Sequence, residues 1–190
     1  MTDDDPYVYP RSTVLRNNLG ITDAALLDYH EREIVAQRAA SGVPAGKFGL
    51  AHVCAVHRHL FQDIYPWAGK IRTVEIAKDG HQFQFRRFIA TGMADVHRRL
   101  VQSDFLTGLN PSEFARAAGE IIGDVNYVHP FREGNGRTQL LYLAQLADRA
   151  GHALDLRRLD PAAWLAASRA AHGGDYAPMA IEIRRALHAD

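Results

Sequence analysis

Residues 110–151, NPSEFARAAGEIIGDVNYVHPFREGNGRTQLLYLAQLADRAG, decide the fold because they predict two helices joined by one short polar turn. The first helix begins at the cap Asn110, with a proline at the first helical position and a carboxylate three residues after the cap. It ends near Val128, since Pro130 disfavours helical backbone at the residue before it. The second helix covers 135–150 and stops at the glycine that follows it.

Further helices are predicted on both sides of this pair. In chain order they cover 23–40, with Thr22 as the cap, then 50–61, 88–101, 161–171 and 176–188. Residues 1–20 are rich in proline, tyrosine and asparagine, and we expect them to form an extended arm. No internal repeat or linker divides the chain, so we expect one domain over 1–190.

A β-hairpin is predicted over 71–85. Residues 71–76 form a β-branched run, Asp79-Gly80 is a two-residue turn signal, and residues 82–85 alternate polar with apolar side chains. One hairpin is marginally stable alone and must pack on helices. The fold class is therefore mostly α, a helical bundle with one hairpin whose outer edge is free to pair with another chain.

The composition argues against several classes of partner. Acidic and basic residues balance at 22 each, so no overall charge attracts nucleic acid or an anionic membrane. No apolar run is long enough to span a bilayer. Residues 1–6 are acidic and lack the apolar core of a signal peptide, and Cys54 alone excludes an intramolecular disulfide. We expect no nucleic acid or membrane partner and a cytoplasmic location, with export by a dedicated secretion machine as the alternative.

The turn between the two helices, His-Pro-Phe-Arg-Glu-Gly-Asn-Gly-Arg over 129–137, is built to hold an anion. Gly134 and Gly136 leave the backbone amides uncovered at the start of the second helix. Unpaired N–H groups and the helix dipole attract negative charge there. Arg137 adds a guanidinium fork, and we expect the Asn135 amide to hydrogen-bond a phosphate without adding charge. The turn therefore predicts a polyphosphate site.

Two further side chains in the turn predict chemistry. Glu133 would repel a phosphate unless Mg²⁺ lies between them, and Mg²⁺ favours one or two carboxylates together with phosphate oxygens. His129, with an ordinary pKa of about 6.5, is placed to take a proton near neutrality. A base beside a metal-bound polyphosphate predicts attack of a hydroxyl on phosphorus. Phe131 is expected to anchor the turn in the core, and Arg132 to be a solvated charge.

The run His129–Arg137 resembles the Fic signature, His-x-Phe-x-(Asp/Glu)-Gly-Asn-Gly-Arg-x-x-Arg, at every fixed position except the last. Residues 59–72, HLFQDIYPWAGKIR, are similar to the segment that leads into the flap hairpin of that family. The resemblance extends from about Tyr7 to Arg185. It implies a helical Fic fold and transfer of AMP from ATP to a tyrosine, threonine or serine hydroxyl of a target protein.

The resemblance also implies a role for each matched residue. His129 would deprotonate the target hydroxyl, and Glu133 would hold Mg²⁺ at the phosphates. Nucleotide binding would fall to the anion hole and the arginine beside it, which are Gly134, Asn135, Gly136 and Arg137. The flap over 71–85 would bind the target by β-augmentation, with contacts at its tip from His81, Gln82 and Phe83.

The chain departs from the family pattern at one position, where Leu140 stands in place of the final arginine. In the family that arginine grips the γ-phosphate and pairs with an inhibitory glutamate, and no such inhibitory motif occurs in this sequence. Members without it are often toxins restrained by a small antitoxin protein. Two alternatives therefore stay open beside AMP transfer: a catalytically weak nucleotide- or protein-binding module, and an enzyme that uses another nucleotide donor.

Overall fold

The computed structural model describes residues 5–78 and 80–188. Seven α-helices lie within these ranges: α1 (Ala24–Ala40), α2 (Leu50–Phe61), α3 (Ile89–Gln102), α4 (Pro111–Val128), α5 (Asn135–Ala150), α6 (Pro161–His172) and α7 (Ala177–Ala186). One antiparallel hairpin joins β1 (Ala77–Lys78) to β2 (His81–Gln82), with Ala77 opposite Gln82. The predicted class, mostly helical with one hairpin, is confirmed. None of the helices in the described ranges is long and apolar enough to cross a membrane.

Helix α4 is the centre of the larger core, and it packs against α3, α5, α6 and α7. Its inward face carries Phe114, Ala118 and Ile122, none of which is exposed to solvent. Gly119 lets α7 approach closely, because a Cβ there would lie 3.1 Å from the backbone nitrogen of Ala180. Dense packing of this kind leaves little freedom at the carboxyl end of α4, where the polar turn begins.

The start and end of α4 follow the sequence prediction. The Asn110 side chain accepts hydrogen bonds from the backbone N–H groups of Ser112 and Glu113, and the Glu113 carboxylate accepts from Asn110 N, which completes a capping box. The helix ends at Val128, and His129 adopts left-handed backbone with φ of 47°. Local capping chemistry alone therefore places the turn correctly.

A second, smaller core lies between α1, α2 and the amino-terminal arm, and it contains Leu60, Phe61, Ile64 and Tyr65. The arm itself is not extended as expected. It folds back on itself through an antiparallel bridge between Val8 and Leu15, because apolar side chains of the arm are buried on this core.

Two other expectations need correction. Helix α1 begins at Ala24 and is capped by Asp23, whose carboxylate accepts from Leu26 N, so Thr22 is not the cap. The hairpin is shorter than 71–85, since residues 71–76 form no strand: the Val74 carbonyl accepts from the Arg72 side chain, and within the described residues only Ile76 O, next to β1, accepts a backbone bond, from Phe83 N. Asp79 of the expected turn and residues 1–4 lie outside the described residues.

Candidate active site

His57 on α2 bonds the backbone of the turn. Its Nδ1 accepts a hydrogen bond from Gly69 N at 2.8 Å, so Nε2 carries the proton and donates to the carbonyl of Glu133 at 3.0 Å. The ring stacks on Phe131 with centroids 3.8 Å apart. Burial lowers the pKa of His57 to about 4, which keeps it neutral and preserves this donor pattern. Sequence reasoning gave His57 no role, because its partners Gly69 and Glu133 lie 12 and 76 residues away along the chain.

Arg72 holds the turn from the side of the hairpin. Its backbone N–H donates to Pro130 O and its Nε to His129 O, both at 2.8 Å. The other end of the guanidinium donates to the carbonyls of Val74 and Gln84, which flank the hairpin. Arg72 is buried, so these carbonyls supply the partners that water would otherwise provide. Sequence reasoning assigned Arg72 no role, and its polar neighbours Lys70 and Glu75 leave no local pattern that would distinguish it.

The Asn135 side chain closes the turn from within. Its Oδ1 accepts from Phe131 N at 2.9 Å and its Nδ2 donates to Phe131 O at 2.8 Å. The residue is buried. Each of the two polar atoms of this amide thus has a backbone partner within the turn, and the predicted contact with a phosphate stays a prediction. The backbone N–H of Asn135 and the second hydrogen of Nδ2 are the donors that these two bonds do not use.

His129 is arranged as a neutral proton acceptor. Its Nδ1 lies 3.2 Å from Asn126 O and donates to it, so Nε2 is the unprotonated nitrogen. The Phe83 ring stacks on the imidazole with centroids 3.7 Å apart. Burial, with smaller contributions from the charges of Arg72 and Lys78, lowers the pKa of His129 to about 4. The histidine is therefore in its basic form throughout the neutral range, not half-protonated there as its ordinary pKa implied.

The amino-terminal end of α5 presents open backbone donors. No partner for the N–H groups of Asn135, Gly136 and Arg137 occurs within the part of the chain that the structure describes. A Cβ on Gly136 would meet nothing within 4 Å, so this side of the helix end is accessible. Gly134 has φ of +82°, and a Cβ there would lie 2.4 Å from the Phe61 ring, so no larger residue fits. These open amides support the predicted anion site at this helix end.

Glu133 and Arg137 flank the open amides. The Glu133 side chain is about half exposed, and its Oε1 accepts from Gly134 N at 2.9 Å, which leaves Oε2 for another partner. The Arg137 Nη2 lies 3.9 Å from that carboxylate. Arg137 also pairs with Glu31 of α1, and its guanidinium carbon lies 4.9 Å from the centre of the Phe61 ring. Both charged groups border the helix end, as the sequence predicted.

The hairpin tip divides into an exposed and a buried part. His81 and Gln82 are exposed, whereas Phe83 is buried against His129. Phe83 is therefore not an exposed residue of the tip, since its ring covers one face of His129, and its contact with a target stays a prediction. His172 of α6 lies close to this cluster, with ring centroids 5.4 Å from both His81 and Phe83.

Two more side chains differ from or extend the expectations. Arg132 is not a solvated charge, because it forms an ion pair with Asp5 of the arm, with Nε 2.9 Å from the carboxylate oxygen. Leu140 is half-buried and, with Arg137, lines a groove of about 280 Å³ between α1 and α5 whose other lining is mostly apolar. Leu140 therefore lies beside the site and not in the main core.

Comparison with known proteins gives this geometry a context. The Fic/DOC family model matches residues 47–147. The probable protein adenylyltransferase y4lH of Sinorhizobium fredii is 40% identical over 185 residues, which are 97% of this chain and 96% of that protein. The structure of BepC, a VirB-translocated effector of Bartonella tribocorum with bound AMPPNP, superposes over 100% of both chains with a TM-score of 0.90 at 24% identity. A Bartonella quintana Fic domain with bound ADP superposes over 97% of this chain and 95% of that one, with a TM-score of 0.88 at 27% identity.

Removing the ring that covers His129 should raise the pKa of that histidine. In Phe83→Ala, water reaches the imidazole, so we expect the pKa to rise from about 4 toward the ordinary value of about 6.5. The titration of the His129 ring followed by NMR measures this directly. Phe85→Ala is the matched control, because Phe85 is exposed two residues along. An unchanged pKa in Phe83→Ala would mean that burial by other groups sets the value.

Replacing Arg72 should weaken the attachment of the turn to the hairpin. In Arg72→Lys the charge remains, but one ammonium cannot reach carbonyls on both sides, so several buried acceptors lose their partners. We expect the free energy of unfolding to fall by about 3 kcal/mol, measured by chemical denaturation. The control is Arg32→Lys, an exposed arginine paired with Asp28 on α1. Equal losses in the two variants would contradict a special role for Arg72.

Proposed function

The chain belongs to the Fic/DOC family, and from that premise we propose that it transfers AMP from ATP to a hydroxyl side chain of a target protein. The observation that carries the proposal is the neutral His129, whose Nε2 is an unprotonated acceptor, in the turn that ends at the open amides of α5. A module that only bound nucleotide would need the amides but no base. The name of the Sinorhizobium relative supports the same activity.

The proton transfer follows from the arrangement of His129. Its Nε2 takes the proton of the target hydroxyl while the hydroxyl oxygen attacks the α-phosphorus of ATP. The new oxygen–phosphorus bond joins AMP to the target, and the bond to the β-phosphate oxygen breaks to release pyrophosphate. The carbonyl of Asn126 holds Nδ1–H, which fixes the tautomer and directs Nε2 toward the incoming group. Burial destabilises the imidazolium that forms, so His129 gives up the proton readily afterwards.

The polyphosphate would bind at the amino-terminal end of α5. The N–H groups of Asn135, Gly136 and Arg137 can donate to phosphate oxygens without breaking any hydrogen bond within the described residues. The Arg137 guanidinium adds positive charge. The ADP in the related Bartonella quintana structure supports a nucleotide ligand for this fold. Gly134, Asn135, Gly136 and Arg137 are thus the proposed nucleotide-binding residues.

Mg²⁺ fits the donor set around Glu133. One carboxylate oxygen is free at a half-exposed position beside the open amides, and Mg²⁺ binds few protein ligands when phosphate oxygens and water complete its shell. When bound, the ion would neutralise phosphate charge and so remove the repulsion between Glu133 and the nucleotide. Glu133 is therefore the proposed metal ligand.

The target protein would meet the hairpin. The exposed His81 and Gln82 on β2 lie at the edge of the two-stranded sheet, where an extended peptide could add a strand. Phe83, stacked on His129, would form the wall against which the acceptor side chain packs. We propose a tyrosine, threonine or serine hydroxyl as the acceptor, action in the cytoplasm, and restraint by a small antitoxin protein.

The proposal is tested with purified protein, labelled ATP and lysate, with and without Mg²⁺. The parent should label target proteins only when Mg²⁺ is present. His129→Ala should retain its fold and ATP binding but transfer AMP about 100-fold more slowly, which is the usual effect of losing a positioned base. His188→Ala, an exposed histidine near the carboxyl end, is the control. Transfer by His129→Ala at the parent's rate would overturn the mechanism.

Leu140 gives a test of donor discrimination. Residue 140 follows Arg137 by nearly one helical turn and shares its face, so Leu140→Arg should add a phosphate contact. We expect ATP binding, measured by calorimetry, to tighten about tenfold and ADP binding less. The half-buried groove position lets the new side chain reach solvent, so the melting temperature should change little.

The control for Leu140→Arg is Asp148→Asn, which raises the net charge by the same amount at the far end of α5. It should leave both affinities unchanged. A large loss of stability in Leu140→Arg without any gain in ATP preference would show that residue 140 does not look toward the phosphates.

A further inference from the structure

The carboxylate of Glu31 is buried and bonds Arg137 of the site. Glu31, on α1, is only 6% exposed, and it lies far from Arg137 along the sequence. One of its oxygens accepts a charge-assisted hydrogen bond from Arg137 Nη2, and the other accepts from the hydroxyl of Tyr65. Both carboxylate oxygens therefore have a donor.

Tyr65 is itself held in place and keeps its proton. Its ring stacks on Trp67 with centroids 4.4 Å apart and an interplanar angle of 15°. Burial first, and then the charge of Glu31, raise the pKa of the Tyr65 hydroxyl far above its usual range. The hydroxyl is thus a permanent donor to Glu31. One carboxylate oxygen always has this partner, and the other oxygen depends on Arg137 for its hydrogen bond.

Arg137 cannot leave Glu31 without cost. Its departure would leave a buried carboxylate with a single hydrogen bond, which proteins avoid strongly. The Phe61 ring supports the guanidinium from another direction, at 4.9 Å. The arginine is therefore tethered at the end of α5 even without a ligand, while about a third of its side chain stays exposed toward solvent.

We infer that Glu31 is a positioning residue for the nucleotide site: it fixes Arg137 in place before ATP arrives, so that binding need not order this long side chain. The inference rests on the proposed function, because it takes Arg137 to be a phosphate contact. Glu31 touches neither substrate nor reacting atoms and acts through the arginine alone. Its negative charge is balanced by Arg137 and the Tyr65 hydroxyl, so it does not present an unpaired charge to the phosphates.

The test is a double-mutant cycle on ATP affinity, measured by calorimetry with Glu31→Gln, Arg137→Ala and the double variant. Glu31→Gln keeps the size of the side chain and removes the charge that tethers Arg137. We expect it to weaken ATP binding about five- to tenfold, the effect of leaving one long side chain to be ordered on binding. In the Arg137→Ala background the same change should have no effect on affinity.

Thermal stability supplies a second reading of the same cycle. Arg137→Ala should lower the melting temperature, since it leaves Glu31 unpaired, and adding Glu31→Gln should restore part of the loss. Glu33→Gln is the matched control, because it removes the same charge from an exposed position on the same helix. It should change neither affinity nor stability.

Tyr65→Phe keeps both charged partners and removes only the second donor to Glu31, so it serves if Glu31→Gln does not fold. It should weaken ATP binding in the same direction by a smaller factor. Parent-like or tighter ATP binding in the folded variants would overturn the inference. Transfer of labelled AMP is measured separately, so a parent that binds ATP but transfers nothing would contradict the proposed function and leave the positioning role standing.

Discussion

The site depends first on the buried guanidinium of Arg72. It joins the carbonyl of His129, in the turn, to the carbonyls of Val74 and Gln84, which flank the hairpin. A two-stranded hairpin has little stability of its own, so its position over the base comes from this attachment and from Gln84 N bonding Tyr127 O. Without it, neither the covered state of His129 nor the location of the sheet edge would be defined.

The turn is also where the two cores meet. Phe131 belongs to the larger core around α4, whereas Phe61, which closes over Gly134, belongs to the smaller core of α1 and α2. His57 spans the two by stacking on Phe131 while it bonds the Glu133 carbonyl. Packing against both cores therefore fixes the conformation of the backbone that presents the open amides. The side chains that face an incoming ligand contribute little to it.

Much of this arrangement was predictable from the sequence because its signals are local. The capping box at Asn110, the proline after His129 and the glycine after α5 each act over a few residues, so they place the helices and the turn correctly. The bonds from Arg72 to His129, from His57 to Glu133 and from Arg137 to Glu31 span 57, 76 and 106 residues, and no local pattern specifies them.

The short strands and the use of Asn135 were missed for a related reason. A β-branched run predicts a strand only if its backbone is free to pair, and here a buried arginine takes a carbonyl of that segment. An amide between two glycines is equally suited to a ligand or to its own turn, and the bonds to Phe131, which show its role in the turn, follow no local pattern in the sequence.

The position of the Phe83 ring over His129 bears on the hydrolysis of ATP by water. Water is the most abundant competing nucleophile in any cell, and a permanently exposed base beside a bound triphosphate would activate it and hydrolyse the donor without modifying anything. The Phe83 ring covers one face of the half-buried imidazole, and an acceptor delivered along the hairpin would reach the histidine beside that ring. The Phe83 ring would thus limit the access of water to the histidine and so reduce hydrolysis of ATP without transfer.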